Sequence, residues 1–282
     1  MAHLTLCADD YGLSADINDA ILTLVRTGRL NAVSCMAIGS VFDDAPLLAA
    51  VTEAPFTVQV GLHLTLTEYT PLAAMPRLAK EGRFPSVGSL LAKSHLRQTD
   101  RAELREELAR QFDAFERTFG RKPDFVDGHQ HVHIFPGIRE DVAELAAARM
   151  GTKETGSGWV RCCAAPMSDL IALRNPRAVL LNAMSRRQRP HLLRAGLHSN
   201  QRFYGVNTFD RHHSYRTLMQ AWLKLAAKES SSTLIMCHPG LGGENPEDPI
   251  AARRADEFSY LQSDQFEEDL LAFGMTLGNQ PQ

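Results

Sequence analysis

The chain has 282 residues, of which 44% are hydrophobic and 22% charged, with a formal net charge of −3. This length and balance fit a soluble globular protein with a large core, of a size ordinary for one α/β barrel. They exclude a basic field for nucleic acid, and no stretch reaches the roughly 18 apolar residues that a membrane span needs. The N-terminus runs straight into a strand-like segment, so no signal peptide is expected. The five cysteines are odd in number and lack C-x-x-C spacing, and four of them sit in apolar strand-like runs. That pattern implies reduced, mostly buried thiols and a cytoplasmic setting.

In chain order, His3–Ala8 reads as a strand with Asp9 and Asp10 at its end. Ser14 or Asp16 caps a helix whose stripe is Ile17, Ala20, Ile21, Leu24 and Val25, stopped by Gly28. Leu30–Ile38 reads as a second strand, Asp43–Val51 as a short helix, and Val58–Leu64 as a third strand with His63 on the face opposite its valines and leucines. Residues 65–100 read as a long irregular connection, typical of a lid or binding loop. Asp100 and Glu103 form a capping-box pattern before a helix striped by Leu104, Leu108, Phe112, Phe115 and Phe119. A strand from Phe125 then carries His129, His131 and His133 at alternate positions before Pro136. Residues two apart on a strand share a side, so this spacing predicts several imidazoles aimed into one space. Arg139–Met150 reads as a helix and Trp159–Cys162 as a strand. Ser168–Arg187 reads as a helix broken or kinked by Pro176, residues 188–200 are ambiguous, and Arg202–Gly205 reads as a short strand. Tyr215–Lys228 is helical in pattern, Ser230–Ser232 is a turn, and Thr233–Cys237 is a strand ending on His238. A last helix holds Phe266, Leu270, Leu271 and Phe273.

No internal repeat or domain boundary interrupts the pattern, so residues 1–282 are expected to form one domain. About seven strands alternating with helices imply a parallel sheet. The polar residues fall at strand C-terminal ends, which favours a closed or nearly closed β/α barrel over an open doubly wound sheet. Four strand ends, at Asp9–Asp10, His63, His129 and His238, would then converge on one mouth. Two imidazoles and one carboxylate make a plausible open metal site. Mixed nitrogen and oxygen ligands suit Zn²⁺, Mn²⁺, Fe²⁺ or Co²⁺, and Mg²⁺ is not excluded.

Four blocks go further: Ala8-Asp9-Asp10-Tyr11-Gly12-Leu13-Ser14, Gly61-Leu62-His63-Leu64-Thr65-Leu66-Thr67, Asp127-Gly128-His129-Gln130-His131-Val132-His133-Ile134-Phe135-Pro136 and Met236-Cys237-His238-Pro239-Gly240. In content and order they resemble the signature blocks of the YdjC-like family, which includes the chito-oligosaccharide deacetylases. The resemblance covers nearly the whole chain. It implies a distorted, TIM-like β/α barrel related to polysaccharide deacetylases, one divalent metal ion (Mg or Zn), and removal of acetyl groups from N-acetylated sugars. By the same resemblance Asp10, His63 and His129 are the metal ligands, Asp9 is the general base for an attacking water, and His238 is the acid for the departing amine. Arg161 and the Phe203-Tyr204-Gly205 triplet resemble lesser elements near the site, and His131 and His133 are expected behind the ligands or against the sugar. The departures are Tyr11, where Phe is usual, and Gly128-His129-Gln130, where some members have Ser-His-His. Neither removes a ligand.

The implied partner is a small N-acetylated saccharide, with a homodimer left open. Two rivals stand beside this reading. An amidohydrolase or phosphoesterase barrel commonly carries His-x-His on its first strand, whereas this first strand ends in Asp-Asp. A sugar-binding barrel without turnover would keep the same residues and release no acetate.

Overall fold

The structure is a computed structural model, described here for residues 2–152, 158–228, 232–242 and 248–278. Its strands are β1 (Ala2–Tyr11), β2 (Ala32–Cys35), β3 (Gln59–Leu64), β4 (Phe125–Gly128), β5 (Trp159–Val160), β6 (Arg202–Tyr204), β7 (Thr233–Cys237) and β8 (Met275–Leu277). The helices are α1 (Ala15–Arg26), α2 (Asp44–Glu53), α3 (Val87–His95), α4 (Arg101–Phe119), α5 (Ile138–Met150), α6 (Met167–Leu173), α7 (Pro176–Arg194), α8 (Tyr215–Ala226), α9 (Ala251–Leu261) and α10 (Asp264–Ala272). Seven strands form one parallel path in the order β5-β4-β3-β2-β1-β7-β6. The eighth, β8, adds in parallel to the start of β1, pairing Ala2–Leu4 with Met275–Leu277. The expected barrel of about seven parallel strands is therefore the observed architecture. Among the described residues no helix is long and apolar enough to cross a membrane.

At the open side of this curled sheet, β5 touches the segment leading into β6, without a regular ladder. Trp159 bridges to His198 in parallel, and the Val160 N–H donates to the His198 carbonyl at 3.0 Å. Beyond that point a side chain replaces the missing strand. Asn200, 1% exposed, accepts from the Cys162 N–H at 2.8 Å and donates through Nδ2 to the carbonyls of Cys162 and Arg202 at 2.8 and 2.9 Å. One primary amide thus pairs three backbone groups that would otherwise be buried unsatisfied.

The helices follow the patterning where it was apolar. The α1 stripe is buried as read. In α4, Asp100 caps the Glu103 N–H at 3.0 Å, and Gly120 closes the helix at φ 62°. The capping box is only half made. The Glu103 carboxylate turns away from the helix and accepts from the N–H groups of Arg77 and Leu78. Glu107 accepts from Leu72, and Gln111 brackets both backbone groups of Thr65. Residues 103, 107 and 111 lie four apart on one helical face, and together they pin the connection that follows β3. That connection is partly ordered, since α3 occupies residues 87–95 of the span read as irregular.

Other boundaries moved. Strand β2 is shorter than Leu30–Ile38. Pro176 does break its segment, becoming the first residue of α7 under an Asn175 cap, and α7 continues past Pro190 through the ambiguous stretch to Arg194. Helix α9 and strand β8 were not anticipated. In the turn read at residues 230–232, Ser230 and Ser231 lie outside the described residues. All five cysteines are free and buried, where most were expected to be.

Replacing Asn200 with Ala should cost about 2–4 kcal/mol, because two or three backbone groups lose their partner inside the seam. Denaturant unfolding would show the loss as a lower midpoint at unchanged slope; an unchanged midpoint would mean the seam closes without the amide.

Candidate metal-binding and catalytic site

Strand β1 delivers two successive carboxylates to one place, which a regular strand cannot do because adjacent side chains alternate. The pairing with β2 runs Cys7↔Ala32 and Ala8↔Val33, then slips to Tyr11↔Cys35. Asp9 and Asp10 lie in that bulge, and Asp10 adopts φ 72°, a left-handed conformation that Asp tolerates better than most residues. Both side chains end up inside the barrel mouth, each 2% exposed.

The histidine run is not a strand. Strand β4 stops at Gly128, and His129–Ile134 forms a 3₁₀ segment with Gln130 and His131 at φ 52° and 61°. The chain folds back so closely that a Cβ on Gly128 would lie 3.0 Å from Val132 and 3.1 Å from the His133 backbone. The strand that was to aim several imidazoles into one space is therefore absent here, and each ring takes its own direction. His129 turns to Asp10, with Nδ1 3.0 Å from Oδ1. His131 lies edge-on to Phe203, and its Nδ1 is 3.6 Å from Cys163 Sγ. His133 is fully buried and donates from Nε2 to the Arg161 carbonyl at 3.1 Å. Burial lowers the pKa of both, with His131 at about 3. Both rings are therefore held neutral, and both lie against the wall formed by Arg161, Cys163 and Phe203.

His63, from β3, completes a cluster. Its Nε2 lies 3.4 Å from Asp10 Oδ1, and ligand atoms of Asp10, His63 and His129 all fall within 4.8 Å of one another. A tetrahedral ion with ligands at about 2.1 Å sets them roughly 3.4 Å apart, so these donors fit a divalent cation with little movement. The other face of His63 is fixed. Asp127 Oδ1 lies 2.6 Å from Nδ1 and also accepts from Ser34 Oγ at 2.5 Å. This arrangement assigns the Nδ1 proton to the Asp127 side and points Nε2 at the cluster, where a bound cation would displace any second proton. Burial opposes a charged His63, yet the Asp127 charge and the hydrogen bonds to Asp10 and Asp127 push its pKa up to about 10. Asp10 keeps its second oxygen on Arg254 Nη2 at 2.8 Å, and Arg254 Nε holds Asp248 at 2.7 Å. Burial works against a charged Asp10, but Arg254 and His129 hold its carboxyl well below the ordinary range.

Asp9 belongs to a second, adjoining cluster. The buried Arg161 guanidinium grips it with two bonds, Nη1–Oδ2 at 2.7 Å and Nη2–Oδ1 at 2.6 Å. The same Nη2 lies 2.5 Å from Asp127 Oδ2 and 3.1 Å from Cys7 Sγ. Cys7, Asp9 and Asp127 could by spacing hold a metal, but the guanidinium already supplies the positive charge there. Burial would raise the Asp9 pKa; Arg161 outweighs it and keeps the carboxyl far below its usual value. His238 follows β7 with Nε2 3.9 Å from Asp9 Oδ2, and its backbone N–H donates to buried Glu257 at 2.6 Å. Burial lowers the His238 pKa to about 4 in spite of the nearby Asp10 and Asp9 carboxylates.

Two aromatic rings stand edge-on to the outer imidazoles. Tyr69, on the loop pinned by α4, is 5.6 Å from His129, and Phe209, on the loop after β6, is 5.3 Å from His238. Eight of the nine residues singled out by sequence thus lie in or against one site. The exception is Tyr204, whose hydroxyl turns outward to Asp169 at 2.7 Å; its neighbour Phe203 faces the site instead. Asp127, Ser34, Arg254, Glu257, Tyr69 and Phe209 were missed. Only Asp127 carried a signal, as the charged residue inside an apolar strand.

A family model described as YdjC-like protein matches residues 3–272. A chitooligosaccharide deacetylase of Citrobacter koseri is 31% identical over 236 residues, 84% of this chain and 81% of its own length. The chitooligosaccharide deacetylase of Salmonella paratyphi B is 30% identical over the same shares. A solved structure from Enterococcus faecalis V583, described provisionally as a cellobiose-phosphate cleavage protein, superposes with a TM-score of 0.75 at 19% identity. That superposition covers 99% of this chain and 97% of the other, and it bears on the fold. The chain belongs to the YdjC-like protein family.

Proposed function

We propose that this chain removes acetyl groups from an N-acetylated saccharide such as a chito-oligosaccharide, with one divalent cation held by Asp10, His63 and His129. The observation that carries the reading is the contact between two clusters. A three-ligand metal cradle and an ionised carboxylate beside an imidazole share one buried mouth, joined through adjacent residues Asp9 and Asp10. The names of the curated relatives point the same way.

A divalent cation in the cradle would polarise the acetyl carbonyl and stabilise the negative charge developing on its oxygen. Arg161 keeps Asp9 ionised and fixed in direction, so its remaining lone pairs can align a water and receive its proton at a carboxylate oxygen. A carboxylate held this acidic does not retain a proton for long. His238 Nε2, 3.9 Å from Asp9 Oδ2, is the nearest imidazole to take it and hand it to the departing amine. One proton from the attacking water then serves both steps, starting from ionised Asp9 and neutral His238. Tyr69 and Phe209 offer apolar walls on two sides, suited to the C–H faces of a sugar ring.

Incubation with N,N′-diacetylchitobiose should release acetate and no phosphate, and His238→Ala should lower kcat by roughly 10²–10⁴-fold. A wild-type protein that binds the disaccharide without releasing acetate would instead be a sugar-binding barrel. Asp127→Asn removes the charge that faces both His63 and Arg161, and kcat should fall about 10- to 100-fold in a protein whose circular dichroism is unchanged. Wild-type turnover in that variant would show that Asp127 does not orient the site.

A further inference from the structure

The side chains of β6 alternate across the barrel wall. Phe203 faces inward, with the Arg161 guanidinium 5.8 Å from its ring, while Arg202 and Tyr204 face out. On the outer side of the seam, between α7 and residues 164–166, lies a cavity of about 490 Å³. Arg186 and Arg189, one turn apart on α7, line it together with Arg202, Ala164, Pro166 and Gln201.

Among the described residues no carboxylate lines this cavity. Asp169, which does not line it, is 3.6 Å from Arg202 Nη1 and is shared with Tyr204 and Lys228. Arg189 is anchored, with Nε on Cys162 Sγ at 3.1 Å and Nη2 on the Gln201 carbonyl at 2.7 Å. Those bonds fix its guanidinium at the cavity wall. Arg186 is exposed and makes no hydrogen bond or ion pair among the described residues. The charge is regional as well as local. From Leu170 to Phe209 the sequence has seven arginines and no Asp, Glu or Lys, in a chain whose net charge is −3. Like charges gathered around a concave surface raise the local concentration of anions. Guanidinium forks match the oxygens of a phosphate in pairs, and the volume suits a small molecule.

We propose that this outer cavity binds the phosphate group of a small phosphorylated molecule, at a site separate from the acetyl-hydrolysing mouth. Arg186 and Arg189 grip the phosphate, and Arg202 closes the third side.

Isothermal titration of the full-length protein with inorganic phosphate tests this without reference to acetate release. Wild type should bind saturably at one site, Arg186→Gln should weaken that binding about tenfold through loss of one charge-assisted contact, and His129→Ala should leave it unchanged. Absence of saturable binding in wild type would overturn the proposal. So would binding that is insensitive to Arg186→Gln, or binding that is lost in His129→Ala, which would place the anion in the barrel mouth.

Discussion

Asp127 and Arg161, paired at 2.5 Å with neither side chain exposed, hold the two halves of the site in register. Burying either charge alone would be very costly, and removing one partner leaves the other uncompensated. Here the pair is extended on both sides. Asp127 reaches through Nδ1 of His63 towards the cluster of His63, Asp10 and His129, and Arg161 reaches through Asp9 towards His238. Ligand orientation and the charge of the proposed base therefore depend on one ion pair. Such a network is a poor way to gain stability, since well-packed apolar residues often do as well or better. In the proposed reaction its value would lie in fixing protonation states and directions before substrate arrives.

Around that pair the barrel supplies rigid positions and the loops supply the rim. The strands end at the mouth, and the bulge in β1 turns both carboxylates inward. The α4 face at Glu103, Glu107 and Gln111 holds the loop that brings Tyr69 to His129. A substitution on this helix, remote from the mouth, can therefore move Tyr69 relative to His129. Substrate choice would be set by such loop residues, while the chemistry stays with the strands.

Much of this was legible in the sequence. The strand-helix alternation, the α1 and α4 stripes and the four strand-end blocks gave the barrel and brought Asp9, Asp10, His63, His129 and His238 to one mouth. The histidine spacing was misleading for a physical reason. Alternation along a sequence means a common face only if the backbone stays extended, and here two residues adopt positive φ. Helix α9 was missed because its buried residues mix Arg253, Arg254 and Glu257 with Tyr260 and Leu261, which breaks the apolar stripe that marks an amphipathic helix. Asn200 left no trace, because a side chain standing in for a strand has no periodicity. Asp127 could have been found, since a carboxylate inside an apolar strand is buried only when paired.

The central claim is that Asp10, His63 and His129 close around one divalent cation. Metal content per chain after loading with Zn²⁺ and exhaustive dialysis measures it most directly. The account predicts one ion per chain in wild type and none retained when Asp10, His63 and His129 are all replaced by Ala in a folded protein. Equal metal content in the two proteins would contradict it.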